Sequence, residues 1–139
     1  MRPPEQVLRD LVEQWIEKAE VDYRAAERLL RDSDPIREAI AFHCQQAVEK
    51  YVKAFLVRHQ VEFPKTHNLG QLRDLVALVA PELAASLEPA EVLTPYGVEI
   101  RYPGDFPDVL PGQEAAIFEL TSRAREAVKG QLSSFLSQG

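Results

Sequence analysis

Proline and glycine are both absent from residues 5–34, 36–63 and 113–129. Either residue weakens a helix interior, so three uninterrupted stretches of this length read as long helices. The breakers gather elsewhere: six of the ten prolines fall between Pro81 and Pro111, and three of the six glycines between Gly97 and Gly112. Nothing in the chain alternates as a strand would, and no internal repeat is present. The pattern predicts an all-α, up-and-down bundle of four to five helices. A length of 139 residues suits a single helical domain over 1–139.

The apolar periodicity places the elements. A first helix over about 5–32 carries Leu8, Val12, Trp15, Ala19, Asp22, Ala26 and Leu29 in steps of four and three, a bundle seam. Asp34-Pro35 then offers an N-cap and a first-turn proline for a second helix to about Gln60. Its stripe of Ile36, Ile40, Cys44, Ala47, Tyr51, Ala54 and Phe55 is widened by Val48 and Val52, as in a helix packed on several neighbours. A third helix is expected over 68–80, with Leu69, Leu72, Leu75, Val76 and Val79 inward and Thr66 or Asn68 as its cap. Pro81 and Pro89 bracket shorter pieces carrying Leu83, Leu87, Val92 and Leu93. The last helix, over 112–136, is expected to bury Ile117, Leu120, Ala124, Val128, Leu132 and Phe135. Between Pro95 and Gly112 lies an irregular stretch, a length that compact domains usually reserve for function or leave disordered.

Composition removes several functions. Sixteen basic against twenty-two acidic side chains give a net charge of −6, which opposes sequence-blind binding to duplex DNA. A local basic cluster for a nucleotide or RNA is still compatible with that charge. The lone Cys44 excludes an internal disulfide and a cysteine-rich metal site, and its place on the second-helix stripe makes it a packed thiol. The three histidines lack metal-ligand spacing, so no metal and no cofactor is expected. Phosphate-loop, dinucleotide, zinc-protease and serine-hydrolase motifs are all missing. The first residues lack the apolar core of a signal peptide, and no apolar run approaches the roughly 20 residues of a membrane helix. The expected location is the cytoplasm, with no membrane partner.

Certain polar residues do not fit a bland bundle. Asp22 sits on the first-helix seam, where a carboxylate needs a cation or several donors. His43, Gln46, Lys50 and Lys53 share one flank of the second helix, a set able to hold a phosphate or a base, with Glu49 further round toward solvent and in reach of Lys53. The alternative is a solvated helix face. In Arg101-Tyr102-Pro103 the proline restrains the tyrosine, and a guanidinium fork beside an aromatic ring suits a nucleotide.

These pieces together resemble the HEPN (higher eukaryotes and prokaryotes nucleotide-binding) domain. The likeness rests on Trp15-x-x-Lys18-Ala19-Glu20-x-Asp22-x-x-Ala25-Ala26 and on the block from Ala41 through Gln45-Gln46-Ala47-Val48-Glu49-Lys50 to Lys53-Ala54. It continues in Lys65-Thr66-His67-Asn68-Leu69 and Arg101-Tyr102-Pro103, so it spans about 15–103. The resemblance implies a bundle of four or five helices that pairs into a homodimer. Bacterial members are often encoded beside a minimal nucleotidyltransferase, many as toxin–antitoxin modules. Catalytic members are metal-independent ribonucleases with an Arg-x(4–6)-His motif. Here Arg101 is followed by Phe106-Pro107-Asp108 at the motif spacing, and no histidine follows His67. Arg37 and His43 have the spacing, but at the start of the second helix.

The expectation is therefore a non-catalytic or weakly catalytic protein, the nucleotide- or RNA-binding partner subunit of a separate nucleotidyltransferase, with no residue assigned a catalytic role. Arg101 would bind phosphate and Tyr102 stack or position the ligand. Lys50, Gln46 and His67 would line the same pocket, and Asp22 would orient one of the cations. Two alternatives stand beside it. In one, the chain is a ribonuclease toxin in which His67 or His43 reaches Arg101. In the other it is a structural adaptor without a ligand.

Overall fold

The computed structural model describes residues 4–97 and 108–138. In chain order it comprises α1 (Pro4–Leu30), α2 (Arg37–Arg58), α3 (Leu69–Ala77), α4 (Pro81–Leu87), a 3-10 segment (Glu88–Gly97) and α5 (Gln113–Leu136). Among the described residues there is no strand. The expected all-α bundle of five helices is the architecture observed, and none of these helices is long and apolar enough to cross a membrane.

The centre of the bundle is α2. It packs against α1, α5, α3 and the 3-10 segment, and its buried residues cover most of the helix circumference, leaving the flank of His43, Gln46 and Lys50 partly exposed. Ile40, Ala41, Cys44, Ala47, Tyr51, Ala54 and Leu56 are each fully buried. Alanines at 19 and 26 on α1 and at 41, 47 and 54 on α2 have no exposed surface, and their small side chains let neighbouring helices approach closely. Burial pushes the Cys44 thiol up to about 11 despite a hydrogen bond from Thr121, so it stays protonated as a packing group.

Aromatic contacts tie the outer helices to this centre. Tyr23 of α1 stacks on Phe118 of α5 at 5.0 Å, and its hydroxyl lies 2.8 Å from Ser122 Oγ. The Arg58 guanidinium sits 4.1 Å from the centre of the Phe135 ring. The 3-10 segment holds α3 at its start, where Thr94 Oγ1 accepts from the Leu69 N–H at 3.1 Å, and through the ion pair of Arg73 with Glu91.

Several local expectations are corrected. α2 begins at Arg37, with Ile36 as a cap that makes no side-chain bond. Asp34 does not cap it: its N–H bonds back to Asp32 Oδ1, forming a turn that uses up the connection. Val79 is 41% exposed because α3 ends at Ala77 and the chain turns away before Pro81. Pro89 lies inside a 3-10 segment and does not open an α-helical piece; Val92 on it is 62% exposed and Leu93 fully buried. Asn68 caps α3, its side chain accepting from Gln71 N–H at 3.0 Å.

At the start of α5, Gly112 adopts φ 94°, a left-handed conformation that favours glycine. The Glu114 carboxylate accepts the Gly112 N–H at 3.0 and 3.1 Å and meets Arg37 Nε at 3.2 Å. Hydrogen bonds from its own and the Gly112 backbone, with Arg37 beside it, outweigh desolvation and hold this carboxyl below its ordinary value. Glu20 is lowered as well: burial alone would raise it, but the hydrogen bonds from Lys129 and Arg125 prevail. Both groups bind their proton less readily when folded than when unfolded. Their contribution is thus complete above the usual value of 4.5 and is lost as pH falls through the lower folded values. Thermal melts should show the midpoint dropping below about pH 4.5, and the Glu20→Gln/Glu114→Gln double variant should be less stable at pH 7 with a shallower fall in that window.

Candidate functional site

Enclosing most of α2 withdraws Gln45, Glu49 and Lys53 from water and leaves His43, Gln46 and Lys50 partly exposed, and two carboxylates organise these polar residues. Asp22, on α1 and 8% exposed, accepts His43 Nδ1 at 2.9 Å through Oδ1 and Lys50 Nζ at 2.5 Å through Oδ2. His43 and Lys50 stand two turns apart on α2, so they face α1 together. Glu49, only 4% exposed, anchors the second group. Its Oε1 meets His67 Nδ1 at 2.7 Å and accepts from Gln45 Nε2 at 3.2 Å, while Oε2 takes Lys53 Nζ at 3.0 Å.

Gln45 is the hub of that second group. Fully buried, it donates through Nε2 to the His67 carbonyl at 3.0 Å and accepts from Gln46 Nε2 at 2.7 Å. It also abuts the end of the 3-10 segment: a Cβ placed on Gly97 would lie 2.3 Å from Gln45 Cδ, so only glycine admits this approach. Lys53 is enclosed too, with Trp15 and Phe63 ring centres 5.8 and 5.6 Å from its ammonium. Those rings meet edge to face at 6.3 Å.

Each imidazole is held at Nδ1 by a buried carboxylate. In the tautomer that donates from Nδ1, Nε2 is left as a proton acceptor, an arrangement that fixes the orientation of the ring. Lys50 places an ammonium on the same carboxylate as His43. The chemistry available is anion binding and proton transfer at Nε2. Among the described residues no group of three or more histidines, cysteines or acids could hold a metal ion.

The residues expected to line one pocket separate into these two groups. Lys50 and Asp22 belong to the first; Gln46 and His67 belong to the second. Among the described residues no hydrogen bond or ion pair joins the two groups. Gln46, one turn before Lys50, lies between them along α2. Arg101 and Tyr102 lie outside the described residues. Glu49 is a correction: expected toward solvent, it is buried, because α3 and the segment before it cover that side of α2. Arg37, whose spacing to His43 imitates the nuclease motif, is committed to Glu114 instead. Gln45 went unnoticed, although the i, i+4 ladder of Gln45, Glu49 and Lys53 was visible in the sequence.

A five-helix assembly around an enclosed central helix defines the class: an α-helical bundle whose buried charges among the described residues are Glu49 and Lys53 on α2, Asp22 on α1 and Glu114 on α5. The HEPN domain model matches residues 12–130. The chain belongs to the HEPN domain family, which gives it a nucleotide- or RNA-related function. No curated protein and no solved structure matches it.

Breaking one partner of a buried ion pair strands the other. Glu49→Gln should therefore lower stability by roughly 3–5 kcal/mol, read from denaturant midpoints. Adding Lys53→Met to Glu49→Gln should recover part of that loss, because the stranded ammonium is removed and the thioether can occupy the space between Trp15 and Phe63.

Proposed function

We propose that this protein binds a nucleotide or RNA as the partner subunit of a separate minimal nucleotidyltransferase, in a toxin–antitoxin-type module, and that it works as a homodimer. Arg101 is the main phosphate ligand and Tyr102 the stacking group. Lys50, Gln46 and His67 contribute polar contacts, and Asp22 orients Lys50. The observation that carries the reading is the contact of Gly97 with Gln45. Arg101 follows Gly97 by four residues in the sequence, and Gln45 is hydrogen-bonded to Gln46 and to the His67 carbonyl. The Asp22–Lys50 contact supports the orienting role.

Arg101→Lys keeps the charge and loses the planar fork. Calorimetric titration with mononucleotides and a short single-stranded RNA should show binding weakened roughly tenfold or more, about 1.4 kcal/mol, with the melting temperature nearly unchanged. Unfolding of that variant would instead make Arg101 a structural group and remove it from the site.

A second reading is favoured by one observation, the anchoring of His43 by Asp22 and of His67 by Glu49. Carboxylate-held imidazoles are suited to the proton transfers of metal-independent RNA cleavage, in place of the histidine missing after Arg101. The primary reading expects no cleavage of single-stranded RNA above background. Robust cleavage in the presence of a chelator, abolished by both Arg101→Ala and His67→Ala in folded protein, would establish the nuclease instead.

A further inference from the structure

On the opposite side of α1 from the Asp22 group, an open groove of about 500 Å³ runs between α1 and α5. Its floor and walls include Ile16, Val21, Arg24, Arg125 and Lys129, with the carboxylates of Glu17 and Glu20. Three cations face two carboxylates here, a local surplus of positive charge in a chain whose net charge is −6.

Glu20 engages two of those cations at once. Arg125 Nε lies 3.2 Å from both Glu20 oxygens, and Lys129 Nζ lies 2.7 Å from Oε1. The third cation, Arg24, makes one hydrogen bond among the described residues, to the Glu20 carbonyl at 3.4 Å. The Arg125 guanidinium is braced 4.6 Å from the Tyr23 ring centre, which in turn stacks on Phe118. A braced guanidinium with an ammonium one helical turn away is the geometry that receives an oxyanion.

Beneath these groups lies Tyr51. It is fully buried, and its hydroxyl interacts with Glu20 and Arg125. When a ligand displaces Glu20, an oxyanion seated on Arg125 would take the place of the carboxylate as the acceptor of that hydroxyl.

We propose that the α1–α5 groove is a phosphate site, in which Arg125, Lys129 and Arg24 bind the phosphoryl oxygens of a nucleotide or RNA end and Glu20 occupies the cations until the ligand displaces it. Glu20 is an internal competitor with the charge and fork geometry of the ligand. Tyr51 donates to the bound oxyanion from below. The site is separate from Arg101 and does not depend on the reading given above.

The competitor makes an unusual prediction: removing an acidic side chain should strengthen binding by more than general charge accounts for. The Arg125 Nε–Hε resonance would be followed during titration with inorganic phosphate, with AMP and with a short single-stranded RNA, at constant ionic strength. The expected result is a saturable shift that tightens roughly tenfold in Glu20→Gln and weakens roughly tenfold in Lys129→Gln, one charge-assisted contact in each case. The control Glu17→Gln, which removes the same charge without freeing a cation, should change affinity far less. Tyr51→Phe should weaken binding a few-fold while leaving the fold intact. Binding should persist in Arg101→Ala, which separates this site from the one above. Saturation by phosphate and AMP alone identifies a small-molecule phosphate, whereas tighter binding of RNA carrying a 5′-phosphate identifies an RNA end. Equal affinities in Glu20→Gln, Glu17→Gln and the parent protein would overturn the proposal. If Glu20→Gln fails to fold, an unchanged affinity in the half-exposed Lys129→Gln would overturn it equally.

Discussion

The burial of α2 over most of its circumference is the constraint from which the other features follow. A helix so enclosed would ordinarily be apolar throughout, yet α2 carries Gln45, Glu49 and Lys53 with almost no exposure. Charges withdrawn from water are tolerated only when paired and hydrogen-bonded. The bundle meets that demand from three elements: Asp22 is supplied by α1, His67 by the segment entering α3, and the ladder from Gln45 to Lys53 by α2 itself. Glu49 is the tightest case, with three donors on two oxygens.

The same device recurs at different depths. Glu49 holds a lysine between two aromatic rings, where exchange with a solute would strand a buried ammonium. Glu20 holds an arginine and a lysine at the wall of an open groove, where water and solutes have access. One carboxylate therefore serves packing, and the other stands where ligand exchange costs far less. Asp22 is intermediate: it is buried, while its partners His43 and Lys50 keep part of their surface in solvent. That gradation follows from position in the bundle, not from residue type.

The long helices were legible because their signal is local. Proline and glycine spacing and the seven-residue seam of α1 require nothing from the rest of the chain. Asp22 was legible for a related reason, since a carboxylate among alanines on a seam announces a partner. The burial of Glu49 was not. Its neighbours Gln45 and Lys53 formed a visible i, i+4 ladder, but whether that ladder faced water depended on where the 61–68 connection and α3 came to lie.

The sequence by itself determined the helical class, the order of the helices and that Asp22 was out of place on its seam, because each rests on periodicities of three or four residues. Only the tertiary structure decided which carboxylate meets which cation. Asp22 and Lys50 are 28 residues apart, and Glu20 and Lys129 are 109 apart. Pairings at such separations depend on how the helices dock, and docking is set by the summed packing of many small and apolar side chains rather than by any local pattern.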